Sequence, residues 1–318
     1  MTTQRLITPR LITLFLSALL MLQLSACSEP TNQHVPISQP QSHNPNNTSI
    51  PSSDVPNTPP IAKSNDSQNL PQRRPIYNQA YQENYDADSL KYILKTARNA
   101  YVLIDPFQLK ADVTRSIQTI KAHSNEVGCY ISAGTGENWR SDFQQMRPYL
   151  VKKQWGEWQG EYFVHSTTTG ILDIMQTRVD KMKAWGCDWV EFDNMDWASD
   201  DDYREDYGFV VTLQESIDYM QSLCGYVKQN GMKCMAKNTV DHHANFDGVL
   251  YESYDNEKNW WGQGGTEQFL AAGKLVIINH YNESQCDRVY ADYKRIYNDQ
   301  ISFICEDKNK YLYRHYNQ

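Results

Sequence analysis

The stretch VEFDNMD at Val190–Asp196 begins as an apolar strand and ends in a cluster of acids around one amide. Side chains alternate along a β-strand, so Glu191 and Asp193 share one face while the apolar residues share the other. Two acids on one face of an apolar strand cost free energy to bury unless they have a partner or a function. The stretch therefore predicts an acid/base site or a cation site at the end of a strand. The alternative is a capped turn, in which the acids and the amide hold the next loop by local hydrogen bonds.

Short apolar runs recur through residues 73–318, and amphipathic stretches of helical spacing lie between them, as at 171–182 and 213–227. Alternating strands and helices indicate a parallel sheet. Eight runs in about 245 residues favour an α/β fold closed into a (β/α)8 TIM-like barrel, with an open doubly wound sheet as the alternative. The runs are Ala100–Ile104, Val127–Ser132, Tyr162–His165, Trp189–Asp193, Lys233–Asn238, Gly248–Glu252, Lys274–His280 and Ile301–Glu306.

Polar residues gather at the carboxyl ends of these runs, which is the end of a β/α barrel where active sites form. Asp193 and Glu252 are the carboxylates that end the runs Trp189–Asp193 and Gly248–Glu252. The remaining polar and aromatic residues near these ends are predicted to bind substrate: Asp105, Ser132, Glu191, Asn194, Asp196, Trp197, Lys237, Asn238 and Tyr281.

The first 72 residues predict export and anchoring. A basic start and an apolar run at 11–22 are typical of a signal peptide over residues 1–26, and the run is too short for a comfortable membrane span. The run leads into Leu24-Ser25-Ala26-Cys27, which resembles a bacterial lipobox and makes Cys27 the expected lipid-attachment residue. Ser28 after the cysteine favours the outer membrane, and an ordinary secretory signal is the alternative. Residues 27–72 are rich in Pro, Ser and Asn and predict a disordered tether.

Composition narrows the class of partner. The formal charge is −8 and all eight Trp and 21 Tyr lie after the tether, which argues against nucleic acid and is typical of proteins that handle sugars. No cysteine or histidine spacing indicates a metal, so neither a metal nor a cofactor is expected, although a divalent cation at the Asp193 cluster is an alternative. An exported domain permits disulfides. We expect a Cys129–Cys187 bridge, with Cys234 and Cys305 as buried thiols in strands.

Two long motifs resemble glycoside hydrolase family 114: Gly128–Gly134 continued by Glu137–Arg140, and Gly186–Asp196. Ala236–Asn238 and Tyr251–Glu252 follow in the family's order. The resemblance implies an endo-α-1,4-polygalactosaminidase on a β/α barrel. It implies Asp193 and Glu252 as the catalytic carboxylates, and glycoside hydrolysis needs one protonated and one ionised carboxyl group. We hypothesise that Asp193 is the nucleophile or base and Glu252 the acid/base. The carboxyl separation decides between retention and inversion and is not given by a sequence; we favour retention. Lys237, if it lies between Asp193 and Glu252, would favour an ionised Asp193.

The chain departs from the family pattern at three places. The family's opening strand has no clear counterpart near Pro75–Tyr77, and the third run ends in His165 instead of the usual Asp-x-Arg. An acidic insert at Trp197–Gly208 either is a solvated, disordered face or attracts a cationic glycan, with aromatic rings stacking on the sugars. Trp260 and Trp261 form a second expected aromatic platform, unless they pack on the barrel rim. A non-catalytic glycan-binding lipoprotein on the same barrel and a hydrolase of another amino-sugar or neutral glycan are the alternative functions.

Overall fold

Eight parallel strands form a nearly closed barrel, as the recurring apolar runs predict. The computed structural model describes residues 75–80, 87–110, 112–239, 243–253, 265–281, 285–298, 300–306 and 313–315. The sheet order is β1-β2-β3-β6-β7-β8-β9-β10, and β11 pairs antiparallel with β10 at its far edge. The barrel strands are β1 Ile76–Asn78, β2 Tyr101–Ile104, β3 Glu126–Ser132, β6 Trp189–Asp193, β7 Lys233–Lys237, β8 Gly248–Ser253, β9 Leu275–His280 and β10 Ser302–Glu306; β11 is Tyr313–His315. β1 and β10 approach each other where the barrel closes.

Helices surround this barrel. They are α1 Ala87–Thr96, α2 Val113–Lys121, α3 Phe143–Met146, α4 Thr169–Trp185, α5 Asp201–Tyr207, α6 Leu213–Gln229, α7 Gly265–Ala271 and α8 Cys286–Tyr297, with short 3-10 helices at Arg147–Tyr149, Trp197–Ser199 and His243–Asn245. The apolar face of α4 is buried, and the helix ends at Gly186, which adopts the left-handed conformation at φ 94° that glycine tolerates. A capping box between Thr212 and Glu215 fixes the start of α6. Within the described ranges, no helix combines the length and apolarity needed to cross a bilayer.

Two strand predictions were wrong. The run Tyr162–His165 does not enter the barrel: β5, Glu161–Phe163, pairs antiparallel with β4, Thr135–Glu137, in a separate two-stranded sheet. The first barrel strand is instead Ile76–Asn78, at the place where the family's opening strand was thought to lack a counterpart. β3 therefore pairs directly with β6, and the β4–β5 hairpin is an insertion that begins at the carboxyl end of β3.

Three disulfides fasten barrel strands to their surroundings. The predicted Cys129–Cys187 bridge is confirmed and links β3 to the segment that leads into β6. Cys234 and Cys305 are not free thiols: Cys234 on β7 bonds to Cys224 on α6, and Cys305 on β10 bonds to Cys286 on α8. Side chains alternate along a strand, so these cysteines project outward while their neighbours project into the barrel.

The barrel interior is packed rather than open. Gly128 on β3 leaves room for Tyr101, whose hydroxyl oxygen would lie 2.1 Å from a Cβ at that position. Trp189 packs edge-on against Tyr101 with ring centroids 5.9 Å apart. The lower barrel is thereby filled, and the polar groups collect at the carboxyl ends of the strands.

The predictions for residues 1–72, including Cys27 and the tether, lie outside the described residues, as do those for Trp260 and Trp261.

Candidate active site

Three charged side chains meet at the carboxyl ends of β6, β7 and β8. Lys237 Nζ lies 2.9 Å from Asp193 Oδ2 and 3.2 Å from Glu252 Oε2. Those two carboxylate oxygens are therefore no farther apart than the sum of these distances, about 6 Å, which is within the range of glycosidase carboxylate pairs. We call these three residues the catalytic cluster.

Asp193 is held on both oxygens. Its Oδ2 accepts a hydrogen bond from the Tyr130 hydroxyl at 2.7 Å as well as from Lys237. Its Oδ1 accepts from the backbone N–H of Asn194 at 2.7 Å. Only 10% of the Asp193 side chain is exposed, and Oδ2 accepts two hydrogen bonds where Oδ1 accepts one, so the carboxylate has a fixed orientation.

Glu252 is held by amide and phenol groups. Its Oε2 accepts from Asn238 Nδ2 at 2.7 Å, and its Oε1 accepts from the Tyr281 hydroxyl at 2.6 Å. Asn238 also accepts from the Glu252 backbone N–H through its Oδ1 at 2.9 Å.

Asn194 and Asn238 occupy equivalent positions, directly after β6 and β7. Both have a φ of 56°, the left-handed region that asparagine tolerates better than most residues. This conformation ends each strand and turns the asparagine towards the carboxylate that it holds. The DN and KN pairs in the sequence thus have a geometric role.

Lys237 is a buried ammonium that stays charged. Burial lowers its pKa, but the carboxylates of Asp193, Glu252 and Glu191 raise it by more, so its pKa lies well above the ordinary value. The cation therefore remains between the two carboxylates over the working pH range of any glycosidase, and it screens their mutual repulsion.

Several residues predicted to bind substrate are instead buried supports. Asp105, Ser132 and Glu191 are each 0% exposed, so the prediction of direct substrate contact was wrong for all three. Asp105 forms an ion pair with Arg140 at 2.9 Å. Ser132 is hydrogen-bonded to Thr135. Glu191 lies two residues before Asp193 on β6, so it occupies the interior position below the catalytic cluster, whereas Ser132 pairs in register with Asp193.

Trp197 and the acidic insert also differ from expectation. Trp197 is 3% exposed and its Nε1 donates to the Val164 carbonyl at 3.1 Å, so it cannot stack on a sugar. The insert is an ordered helix, α5, whose start is capped by Asp200. Tyr203 and Tyr207 on that helix are half-buried and pack against Phe163 of the β4–β5 hairpin, so the insert supports the hairpin.

Asp196 is exposed, and Asn194, Asn238 and Tyr281 are partly exposed near the catalytic cluster, so their assignment to substrate binding stays a prediction. Desolvation by the walls of the cleft raises the pKa of Asp196, and the nearby Asp193 adds to this effect. Because the Asp196 side chain is itself exposed, water moderates the shift. Across the described residues, no group of three His, Cys, Asp or Glu side chains has the arrangement of a metal site.

Sequence reasoning missed groups on β3 and on the β4–β5 hairpin insertion that surround the cluster. Tyr130 was classed with the apolar run, although its period-two spacing with Ser132 places it on the interior face. Glu161 was assigned to no role, yet it is a buried carboxylate whose Oε2 accepts from the Thr135 hydroxyl at 2.5 Å. Arg140 joins the hairpin to β2, since it binds Glu137 at 2.6 Å as well as Asp105.

Two tryptophans on the hairpin insertion are exposed. Trp139 and Trp158 are each 45% exposed, and the Trp139 ring lies against Gly160, whose φ is 93°. A Cβ on Gly160 would lie 2.9 Å from the Trp139 ring, so only glycine lets this ring lie against the backbone. The pair presents aromatic faces on an insertion that starts at the barrel mouth.

Comparisons with known proteins agree with this fold. The sequence model of the glycoside-hydrolase family GH114 matches residues 70–316. Ega3 of Aspergillus fumigatus, solved in complex with galactosamine, has a TM-score of 0.60 at 20% identity, over 78% of this chain and 96% of that one. The glycoside hydrolase domain of PelA from Pseudomonas aeruginosa has a TM-score of 0.52 at 11% identity, over 74% of this chain and 95% of that one. No curated protein sequence matches the chain.

Proposed function

This chain belongs to glycoside hydrolase family 114, and from that premise we propose that it cleaves an α-1,4-linked galactosamine-containing polysaccharide within the polymer chain. The observation that carries the proposal is the catalytic cluster, in which Asp193 and Glu252 share one buried ammonium at the barrel mouth. Two carboxylates at this spacing are the usual catalytic groups for hydrolysing a glycosidic bond.

Asp193 serves as the nucleophile in this proposal. Tyr130 and Lys237 both donate to Oδ2, so negative charge is stabilised there while Oδ1 attacks the anomeric carbon. The attack forms a glycosyl ester on Oδ1 and breaks the bond to the leaving sugar oxygen. The limit of about 6 Å between the nearest oxygens of the pair supports this retaining route, because an inverting pair usually stands farther apart to admit a water molecule.

Glu252 serves as the acid and then as the base. In the first step its proton moves to the leaving glycosidic oxygen. In the second step it removes a proton from water, whose oxygen then attacks the anomeric carbon and releases Asp193. Tyr281 is placed to follow both states, because its hydroxyl can donate to ionised Glu252 and accept from protonated Glu252.

A cationic amino sugar fits the charge around the cleft. Asp196 is a solvent-accessible acid beside Asp193, and an ammonium substituent would be attracted to it. Trp139 and Trp158 offer faces on which sugar rings and ammonium groups can stack. The galactosamine bound to Ega3, a structural neighbour, supports the same substrate class.

The test is the release of new reducing ends from defined polymers. We expect release from partly deacetylated α-1,4-galactosamine polymer, and none from β-1,4-glucosamine polymer or a neutral galactan. Asp193→Asn and Glu252→Gln should each lower kcat at least about a thousandfold.

The matched control is Asp188→Asn. Asp188 precedes β6 at the opposite end of the barrel, where it pairs with Lys121 at 2.6 Å, so this variant should keep wild-type kcat. Binding of the polymer without new reducing ends would contradict hydrolysis and favour a glycan-binding protein. Cleavage of only the neutral or β-linked polymer would contradict the substrate assignment.

We also propose that the chain is exported and lipid-anchored at Cys27. The signal-like residues 1–26 support this, and the three disulfides fit an oxidising compartment outside the cytoplasm. Cys27→Ser should abolish incorporation of labelled fatty acid and release the protein from the membrane fraction. Equal incorporation in the variant and the wild type would contradict the assignment of Cys27.

A further inference from the structure

Glu161 is a buried carboxylate that the two-carboxylate mechanism does not use. It lies on β5 with 6% exposure, and among the described residues it forms no salt bridge. Burying a carboxyl group without a cation costs free energy unless hydrogen bonds compensate. Packing alone therefore does not explain why a carboxyl group is buried at this position of the hairpin insertion.

A chain of hydrogen bonds leads from Glu161 towards Asp193. The Thr135 hydroxyl donates to Glu161 Oε2 at 2.5 Å, and the hydroxyls of Thr135 and Ser132 lie 2.6 Å apart. Asn194 Nδ2 donates to Ser132 Oγ at 3.0 Å. An amide nitrogen can only donate, so with Thr135 donating to Glu161 the direction of every bond in the chain is fixed.

The hydrogen-bond chain ends at Asn194, whose backbone holds the candidate nucleophile Asp193. Asn194 has a φ of 56°, and its backbone N–H donates to Asp193 Oδ1. Gly134, two residues after Ser132, lies against the Asn194 backbone, because a Cβ there would lie 1.7 Å from the Asn194 carbonyl oxygen. The side chain of Asn194 thus sets the position of the N–H that orients the attacking oxygen.

We propose that Glu161 is a positioning residue for Asp193, acting through Thr135, Ser132 and Asn194. The proposal rests on the assignment of Asp193 as nucleophile made above. Glu161 is the terminal hydrogen-bond acceptor, and the hydroxyls of Thr135 and Ser132 each donate towards it. The Asn194 side-chain amide donates to Ser132, which holds the turn at the end of β6. Hydrogen-bond chains of this kind in a buried site lock one geometry.

The charges that face Glu161 come from three strands. Burial raises its pKa, Glu137 on β4 and Asp193 on β6 raise it further, and Thr135 and Lys237 on β7 oppose them, so that its pKa is about 8. At neutral pH the carboxyl is therefore protonated and still accepts from Thr135 through its carbonyl oxygen. Above pH 8 the group ionises and adds a negative charge to the chain.

The kinetic test uses the full chain and separates positioning from packing. Glu161→Leu and Thr135→Val each break the chain, so each should lower kcat at least about tenfold with an unchanged KM. The double variant should lose no more than either single variant, because both changes interrupt one chain. Glu161→Gln, whose amide oxygen can accept from Thr135, should keep the wild-type kcat at pH 6. Its kcat should not change near pH 8, where the kcat of the wild type does.

The matched control is Glu126→Leu at the opposite end of β3, where Glu126 accepts from Trp189 Nε1. It removes a partly buried carboxylate from the same barrel and should lower stability without changing kcat. Wild-type kcat in Thr135→Val, or additive losses in the double variant, would overturn the proposal.

A second measurement does not depend on catalysis, so it keeps the inference testable if the wild type cleaves none of the polymers. In protein labelled with 15N at asparagine, the Asn194 side-chain amide, assigned with Asn194→Ala, should shift between pH 7 and 9 as Glu161 ionises. The shift should vanish in Glu161→Gln and in Thr135→Val. An Asn194 signal that does not respond to pH in the wild type, or responds equally in Thr135→Val, would overturn the positioning role.

Discussion

Lys237→Met removes the cation that lies between the two candidate catalytic carboxylates. Lys237 Nζ lies 2.9 Å from Asp193 Oδ2, so at an effective dielectric constant of about 20 their attraction is about 6 kcal/mol. The proposed mechanism needs Asp193 ionised while Glu252 is protonated, so loss of this attraction disfavours the active form on the acid limb of kcat/KM. Half of the attraction, about 3 kcal/mol, already corresponds to about two pH units, so we expect the acid limb to move upward by at least that amount. At a fixed pH on that limb, kcat/KM then falls at least about a hundredfold.

The assay is kcat/KM from reducing ends between pH 4 and 8, with thermal unfolding recorded for each protein. The matched control is Lys233→Met, at the other end of β7, where Lys233 is half exposed and lies 3.6 Å from Glu126. Its acid limb should coincide with that of the wild type. A Lys237→Met protein that folds and keeps the wild-type acid limb would refute the electrostatic role of Lys237.

Three further predictions concern stability and substrate contact. Burial raises the pKa of Glu161 to about 8 in the folded state, against 4.5 in the unfolded state, so the native state binds more protons between these two values. The contribution of Glu161 to the free energy of unfolding therefore falls as pH rises from about 4.5 to about 8. Denaturant titrations of Glu161→Gln should lack that decline, and a pH slope identical to that of the wild type would contradict the burial argument. Replacing Cys129 and Cys187 by Ala should lower the free energy of unfolding by about 4 kcal/mol, measured by calorimetry. Removing the Cys224–Cys234 bridge, which spans only ten residues, should lower it by ~3 kcal/mol, and the reverse order would contradict the loop-entropy account. Trp158→Ala should raise KM for the polymer about fivefold or more with kcat unchanged, since stacking contributes about 1 kcal/mol, and an unchanged KM would exclude the Trp158 face from substrate binding.

The barrel could be predicted from sequence because seven of its strands are apolar runs bounded by polar ends. Ile76–Asn78 could not, because three residues beside a polar tether carry no measurable period. Tyr162–His165 has the composition of a strand, and composition does not distinguish a barrel strand from a hairpin strand.

The candidate site shows the same division. Asp193, Lys237 and Glu252 end strands that converge in any β/α barrel, so their meeting follows from topology once the strands are known. The burial of Trp197 depends on the contact of its ring with the turn at Gly134, which is a tertiary feature. Glu161 was missed for the same reason, because its side-chain hydrogen-bond partner, Thr135, lies 26 residues away along the chain.

The excursion between β3 and β6 has a kinetic consequence. These neighbouring strands are separated by the whole β4–β5 hairpin and α4, and the Cys129–Cys187 bond spans the same 58 residues. In reduced protein, pairing them requires a slow search because the contact is remote along the chain. In oxidised protein the crosslink keeps the two strands as neighbours even after denaturation, so refolding from urea should be faster than from urea with a reductant.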